Sequence, residues 1–256
     1  MTHRGVSAVR VVVVFPELLG TYGDRGNAVV LSQRLAWRDM PVEVVEANAD
    51  RELPTSGDVY LLGGGEDLTQ LSACTLLRAS GLARALSSGA ACLAVCAGMQ
   101  ILGESFEQGD GSGVAGLGVL PITTTKGSPR LVGDVVATAD PAMGIGRLTG
   151  FENHSGRTRL APGARPLAAV EAGNGNGISF EGRKVDGIRQ GSIVGTYLHG
   201  PVLARNPELA DWLLERVTGG ELPPLHMDAA TALRAERFDA SARRGRRWLR
   251  RFRRAE

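Results

Sequence analysis

The first hundred residues alternate short, unbroken apolar runs with longer amphipathic stretches. Ala8 to Phe15 is almost wholly apolar and β-branched, the pattern of a strand covered on both faces in a parallel sheet. Apolar positions at helical spacing follow from Ala28 to about Arg38, then two strand-like runs, Pro41 to Glu46 and Asp58 to Leu62. The second of these runs into Gly63-Gly64-Gly65. Helical spacing returns over Glu66 to Ser80 and Leu82 to Ser88, interrupted near Gly81, and Ala90 to Val95 reads as another buried strand. A helix is predicted directly after it, from Gly98 to about Phe106. This alternation predicts an α/β fold with a mainly parallel central sheet flanked by helices. Ligands in such sheets sit beyond the carboxyl ends of the strands, where the loop Gly20–Asn27, the three glycines and Cys96 all fall.

The second half has a different texture. Short strand-like runs at Leu117–Pro121, Arg130–Thr138, Arg147–Phe151, Leu167–Glu171 and Ile178–Phe180 are separated by Gly, Pro and Asn, which predicts additional antiparallel strands beside the sheet. Ser192 to Leu198 is again apolar and ends at His199. Asn206-Pro207-Glu208 predicts a helix start, with Asn206 as N-cap and Pro207 in the first turn, running to about Val217. Leu222-Pro223-Pro224 closes the pattern. The chain divides into one domain over 8–220 and an extension over 221–256.

Composition narrows the class. With 256 residues, 43% hydrophobic and 22% charged, the chain is long enough for a full core. Three cysteines, Cys74, Cys92 and Cys96, without CxxC spacing, argue against a disulfide framework and for a reducing, cytoplasmic setting. The apolar runs are too short to span a bilayer, and the N-terminus lacks the features of a secretory signal. The net charge of +2 hides an asymmetry. Arg243 to Glu256 holds eight arginines and one glutamate, leaving a body with 21 basic and 26 acidic residues. A nucleic-acid-binding body is therefore not expected. The tail, which interleaves Trp248, Leu249 and Phe252 with its arginines, reads as a solvated, disordered segment or as a weak contact with anionic lipid at the inner membrane face.

Chemistry concentrates at Cys96. Small residues on either side, Ala94, Ala97 and Gly98, suit a tight strand-to-helix turn that holds a thiol at its tip beside backbone N–H groups, a setting that favours the thiolate. His199 ends a strand in the same way and supplies a base for the thiol. Gly64 and Gly65, with the Ala97 N–H, offer donors for an oxyanion. Gln100 lies one helical turn beyond the cysteine. A zinc site from Cys92, Cys96 and His199 is a weaker reading, because residues i and i+4 on a strand lie too far apart for one metal, and no metal is expected.

At these residues a resemblance becomes plain. Cys96-Ala97-Gly98-Met99-Gln100 after an apolar strand, with Tyr197-Leu198-His199-Gly200-Pro201 late in the chain, resembles the class I glutamine amidotransferase domains, flavodoxin-like in architecture, of the cobyric-acid-synthase branch. Tyr22 to Asn27, Gly150 to Thr158 and the run from Gly195 into Asn206–Leu213 sharpen it toward the GatD-type glutaminase subunits of lipid II isoglutaminyl synthases. The resemblance implies glutamine hydrolysis through a γ-glutamyl thioester on Cys96, with His199 as base and then acid, and Arg130 anchoring the substrate. It implies a heterodimer with a MurT-like Mur ligase subunit that carries ATP and Mg, this chain having no cofactor of its own and no Gly-x-x-x-x-Gly-Lys-Ser/Thr stretch. Ammonia would then amidate the D-glutamate α-carboxylate of the lipid II stem peptide. One departure matters. Class I domains usually carry a glutamate two residues after the histidine, and Pro201 stands there, so the group that orients His199 is left open, with Asp24 and Glu152 as candidates. His154 reads as pocket-lining. A stand-alone cysteine hydrolase of γ-glutamyl hydrolase type and a non-catalytic interaction subunit of the same fold remain as alternatives.

Overall fold

The computed structural model describes residues 7–20, 23–225, 227, 232–236 and 238. Its elements run β1 (Val9–Val14), α1 (Gly26–Ala36), β2 (Val42–Ala47), β3 (Val59–Leu62), α2 (Asp67–Ala79), α3 (Leu82–Ser87), β4 (Ala91–Val95) and α4 (Ala97–Leu102) in the first half. The second half continues with β5 (Ser105–Glu107), β6 (Gly113–Ala115), β7 (Ile122–Ala139), β8 (Arg147–Leu160), β9 (Ala168–Ala172) and β10 (Ser179–Phe180). It closes with β11 (Arg183–Asp186), β12 (Ile188–Gln190), β13 (Ile193–Thr196), α5 (Val202–Arg205) and α6 (Pro207–Thr218). The central sheet has the order β12-β13-β4-β3-β1-β2, parallel except for β12. Strands β3, β4 and β13 are buried along their whole length, which is why they lack polar alternation, whereas the edge strand β2 is mostly open to solvent.

Helices α1, α5 and α6 pack on one another, α1 and α6 against this sheet and α5 against β8, and α4 leans on β3, β4 and β13. A buried ion pair fastens α1 to α6: Arg34 donates to both oxygens of Asp211, at 2.7 and 2.5 Å, and Arg38 adds a third bond at 3.0 Å. Beyond residue 220 the chain still touches the body, since Arg38 donates to the Pro223 carbonyl at 2.7 Å. The arginine-rich stretch 243–256 lies outside the described residues.

The second sheet is larger than the sequence pattern suggests. It is built on a long antiparallel pair, β7 with β8; the other edge of β7 carries β5 and β6 at its start and β9, β11 and β10 at its end. Two expectations fail here. The helix after Cys96 stops at Leu102, and Phe106 belongs to β5 instead. Leu117–Pro121 is not a strand. Its N–H groups at 117, 118, 119 and 120 donate to the carbonyls of Ile101, Gly103, Leu102 and Leu102 at 2.8–2.9 Å, closing the open end of α4.

Asn206 stands at the start of α6 as expected, yet its side chain makes no cap. It is fully buried and reaches across to β8, accepting the Thr149 N–H and donating to the Thr149 and Val202 carbonyls, all at 2.8 Å. Two complete backbone groups of a buried strand outweigh one helix N–H that α6 can satisfy elsewhere.

Candidate active site

Strand β4 runs directly into Cys96, whose backbone takes φ 52° and ψ −107°, a conformation that costs a non-glycine residue about 1–3 kcal/mol. The surroundings hold it there. The Cys96 N–H donates to the Thr196 carbonyl at 2.8 Å, its carbonyl accepts the Gln100 N–H at 3.1 Å, and the Gly98 N–H donates to the Gly63 carbonyl at 3.1 Å. Close approach requires glycine at both ends of that last bond. A Cβ at Gly98 would lie 2.7 Å from the Leu62 Cβ, and one at Gly63 would lie 1.9 Å from the Leu19 carbonyl oxygen. Ala94 sits in regular strand, paired with Leu62 and Gly195, where a side chain is tolerated.

His199 comes from the neighbouring strand. Below it, the buried Asp186 gathers the end of β13, accepting the Thr196 hydroxyl at 2.5 Å and the Tyr197 N–H at 3.3 Å. The His199 backbone then exchanges a pair of bonds with Phe151 of β8, at 2.9 and 3.3 Å, which pins this stretch to the second sheet. Cys96 and His199 thus follow adjacent parallel strands, as their positions in the sequence pattern anticipate.

Beside them lies a cleft of about 510 Å³. Cys96, Ala97, Gln100, Gly65 and Arg130 all line it. Arg130 reaches it because the β7–β8 register breaks between Lys126 and Leu131. Freed from the ladder, its guanidinium donates to the Asn153 side-chain oxygen at 2.6 Å and to the Asn153 carbonyl at 3.0 Å. Gln100 heads a buried polar chain. It accepts from Gln70 at 2.8 Å and donates to the Tyr197 hydroxyl at 2.9 Å, which in turn bonds Thr158 at 2.7 Å, and Thr158 bonds Thr124 at 2.8 Å. His154 stacks flat on Tyr197 with ring centroids 3.6 Å apart and contributes to the cleft wall. Sequence spacing missed Gln70, Thr124, Thr158 and Tyr197; Tyr197 alone carried a signal, two residues before the histidine.

Gly64 is placed differently from its neighbour. It does not line the cleft, and its N–H donates to the Asp24 carboxylate at 2.8 Å instead of standing open for an oxyanion. Of the three glycines, Gly65 faces the cleft. Glu152, considered as an orienting group for His199, is spent elsewhere. Its carboxylate accepts the Asn174 and Gly175 N–H groups at 3.1 and 2.8 Å and the Asn174 side chain at 2.7 Å.

The electrostatics differ from the thiolate expected of the elbow. Burial pushes the Cys96 thiol up to about 12, and the Asp24 carboxylate adds to this, while the Ala97 N–H and Arg130 pull the other way. Burial likewise brings His199 down to about 4, with Arg130 reinforcing it. The resting pair is therefore a neutral thiol and a neutral imidazole. Such a pair moves its proton as the sulfur attacks, not beforehand.

Residues 10–207 match the model of the CobB/CobQ-like glutamine amidotransferase domain. The chain belongs to that family. As a CobB/CobQ-like amidotransferase it is similar to the lipid II isoglutaminyl synthase (glutamine-hydrolyzing) subunit GatD of Staphylococcus aureus (strain N315), at 38% identity over 77% of this chain and 79% of that protein. It is similar also to the subunit of the same name from Streptococcus pneumoniae (strain ATCC BAA-255 / R6), at 32% identity over 77% of this chain and 75% of that protein. A crystal structure of a glutamine amidotransferase matches the fold with a TM-score of 0.53 at 21% identity, covering 83% of this chain and all of the other. Among the described residues, no helix is long and apolar enough to cross a membrane, and no group of three or more His, Cys, Asp or Glu is placed to hold a metal.

Proposed function

We propose that this amidotransferase hydrolyses L-glutamine at Cys96 and hands the ammonia to a MurT-like, ATP-dependent ligase subunit. That partner would use it to convert the D-glutamate α-carboxylate of the lipid II stem peptide to D-isoglutamine. The observation that carries the reading is the strained Cys96 elbow beside the His199 strand end, opening on a cleft that holds Arg130. Similarity to two GatD subunits over three quarters of the chain supports the choice of acceptor.

In this reading Arg130 takes the substrate's α-carboxylate, for which a guanidinium is a strong partner. His199 removes the thiol proton as the sulfur attacks the side-chain carbonyl carbon, forming the C–S bond. The developing oxyanion meets the N–H groups of Ala97 and Gly65. Collapse breaks the C–N bond, His199 protonates the leaving nitrogen, and ammonia departs. Water, deprotonated by His199, then attacks the thioester; the C–S bond breaks, glutamate leaves, and the proton returns to sulfur. The partner subunit supplies ATP and Mg to activate the acceptor carboxylate, which an amide bond from ammonia requires. Glutamate release from glutamine, measured with and without a MurT-like partner in wild type and Cys96→Ala, tests the reading. Wild type is expected to release glutamate in the complex and Cys96→Ala none. Absence of release from the wild-type complex overturns it.

A further inference from the structure

We propose that Asp24 is the positioning residue of His199, filling from the first loop of the chain the role that Pro201 leaves vacant. The inference rests on the glutaminase reading above. The Asp24 carboxylate is almost fully buried at the point where the strand ends meet. One oxygen, Oδ2, accepts the Gly64 N–H at 2.8 Å beyond β3 and stands 4.0 Å from the His199 Nδ1 beyond β13. The other, Oδ1, is buried without a hydrogen-bond partner. A buried carboxylate oxygen with nothing to accept is costly, and an imidazolium N–H is the partner that would relieve it.

The loop is built to keep the carboxylate there. Gly26 lacks the Cβ that would fall 2.2 Å from the Pro201 ring, so the proline packs directly on the start of α1. The buried Asn27 side chain accepts the Leu203 N–H at 3.0 Å, tying the same turn to α5. Residues 24–27 and 199–203 are thereby clamped together. Pro201 cannot orient the imidazole, but it seats the segment that can. Among the described residues, Arg130 from β7 disfavours an imidazolium at His199, and His154 from β8 couples to it in the same sense. Asp24 is the group of opposite sign. As His199 takes the thiol proton, a small rotation converts the 4.0 Å approach into a charge-assisted bond from Nδ1, leaving Nε2 directed at the reaction.

Asp24→Asn separates this role from a structural one, because an amide oxygen still accepts the Gly64 N–H. In the full chain, with and without the MurT-like partner, we expect unchanged thermal stability, a KM within about threefold, and a kcat lower on the order of 10²-fold. The His199 C2–H titration, followed by NMR and assigned with His199→Gln, is expected about one unit lower in the variant. In wild type it should show a second inflection from the neighbouring carboxylate. An unmoved titration, or a kcat equal to wild type, overturns the proposal; a fall in kcat with an unmoved titration assigns Asp24 to the Gly64 N–H alone. If Asp24→Asn does not fold, a single inflection in wild type overturns the proposal by itself. Inactive wild type would defeat the glutaminase reading, while the titration, which needs no substrate, still decides Asp24.

Discussion

Gly98→Ala is the sharpest test of how the fold holds the Cys96 elbow. The added Cβ would sit 2.7 Å from the Leu62 Cβ and 2.8 Å from the Leu62 carbonyl oxygen, roughly 0.7 Å inside the closest ordinary contact. Neither neighbour can swing away, since one is backbone and the other a Cβ on the fully buried strand β3. The strain must therefore move α4 off β3, lengthening the Gly98 N–H bond to the Gly63 carbonyl, now 3.1 Å. Overpacking of this kind costs about 1–3 kcal/mol. Ala97 opens α4, so the shift is passed to the Cys96 elbow and to the Ala97 N–H. A displacement of about 1 Å at a reacting group lowers kcat by on the order of 10²-fold. Urea unfolding and glutaminase kinetics on the complex measure the two effects together. A variant with stability and kcat both equal to wild type would refute the claim that this contact sets the elbow.

Three further outcomes are expected. Arg130→Ala should raise KM for glutamine about 10- to 100-fold with little change in kcat, the worth of one charge-assisted contact to the substrate; a pure kcat effect would contradict the anchoring role. Asn206→Ala removes three buried bonds between α6, α5 and β8 and should cost about 3 kcal/mol, a fall in Tm of roughly 6–12 °C by calorimetry. Asp186→Asn tests a pH dependence. Burial raises the Asp186 carboxyl from 3.8 to about 6, so the folded state holds that proton more tightly than the unfolded chain. Its favourable contribution is complete below about pH 4 and lost as pH rises through 6. Relative to wild type, Asp186→Asn should therefore gain up to about 3 kcal/mol between pH 4 and pH 8 in urea unfolding, and an unchanged difference would refute the assignment.

Legibility in the sequence followed the range of the interactions concerned. The parallel core was plain because β1, β3, β4 and β13 are buried on both faces and so appear as unbroken apolar runs. Strands β7 and β8 were seen only in part. Their outer halves, Ile122–Lys126 and Arg157–Leu160, carry threonines and charges, and Gly127 and Pro129 read as an end to the strand when they mark a break within one. The Arg130 side chain reaches the cleft through that break, so its place depends on a feature that composition presents as a loop.

The site divides in the same way. Cys96 and His199 each end a visible apolar strand, and their nearness follows from β4 lying beside β13. Asp24 has no such local mark. It sits 175 residues from His199, after a loop that any glycine-rich turn would match, and only the strand order β13-β4-β3-β1 brings the two together. The sequence did contain the question, in the form of Pro201 where an acid was expected. It offered Asp24 and Glu152 as candidates but not the choice between them, because the order that places β1 two strands from β4 is written in no segment shorter than the sheet. An orienting carboxylate beside the histidine in sequence would be found by spacing; one delivered across the sheet is found by its burial, its unsatisfied oxygen and the proline ring that seats its loop.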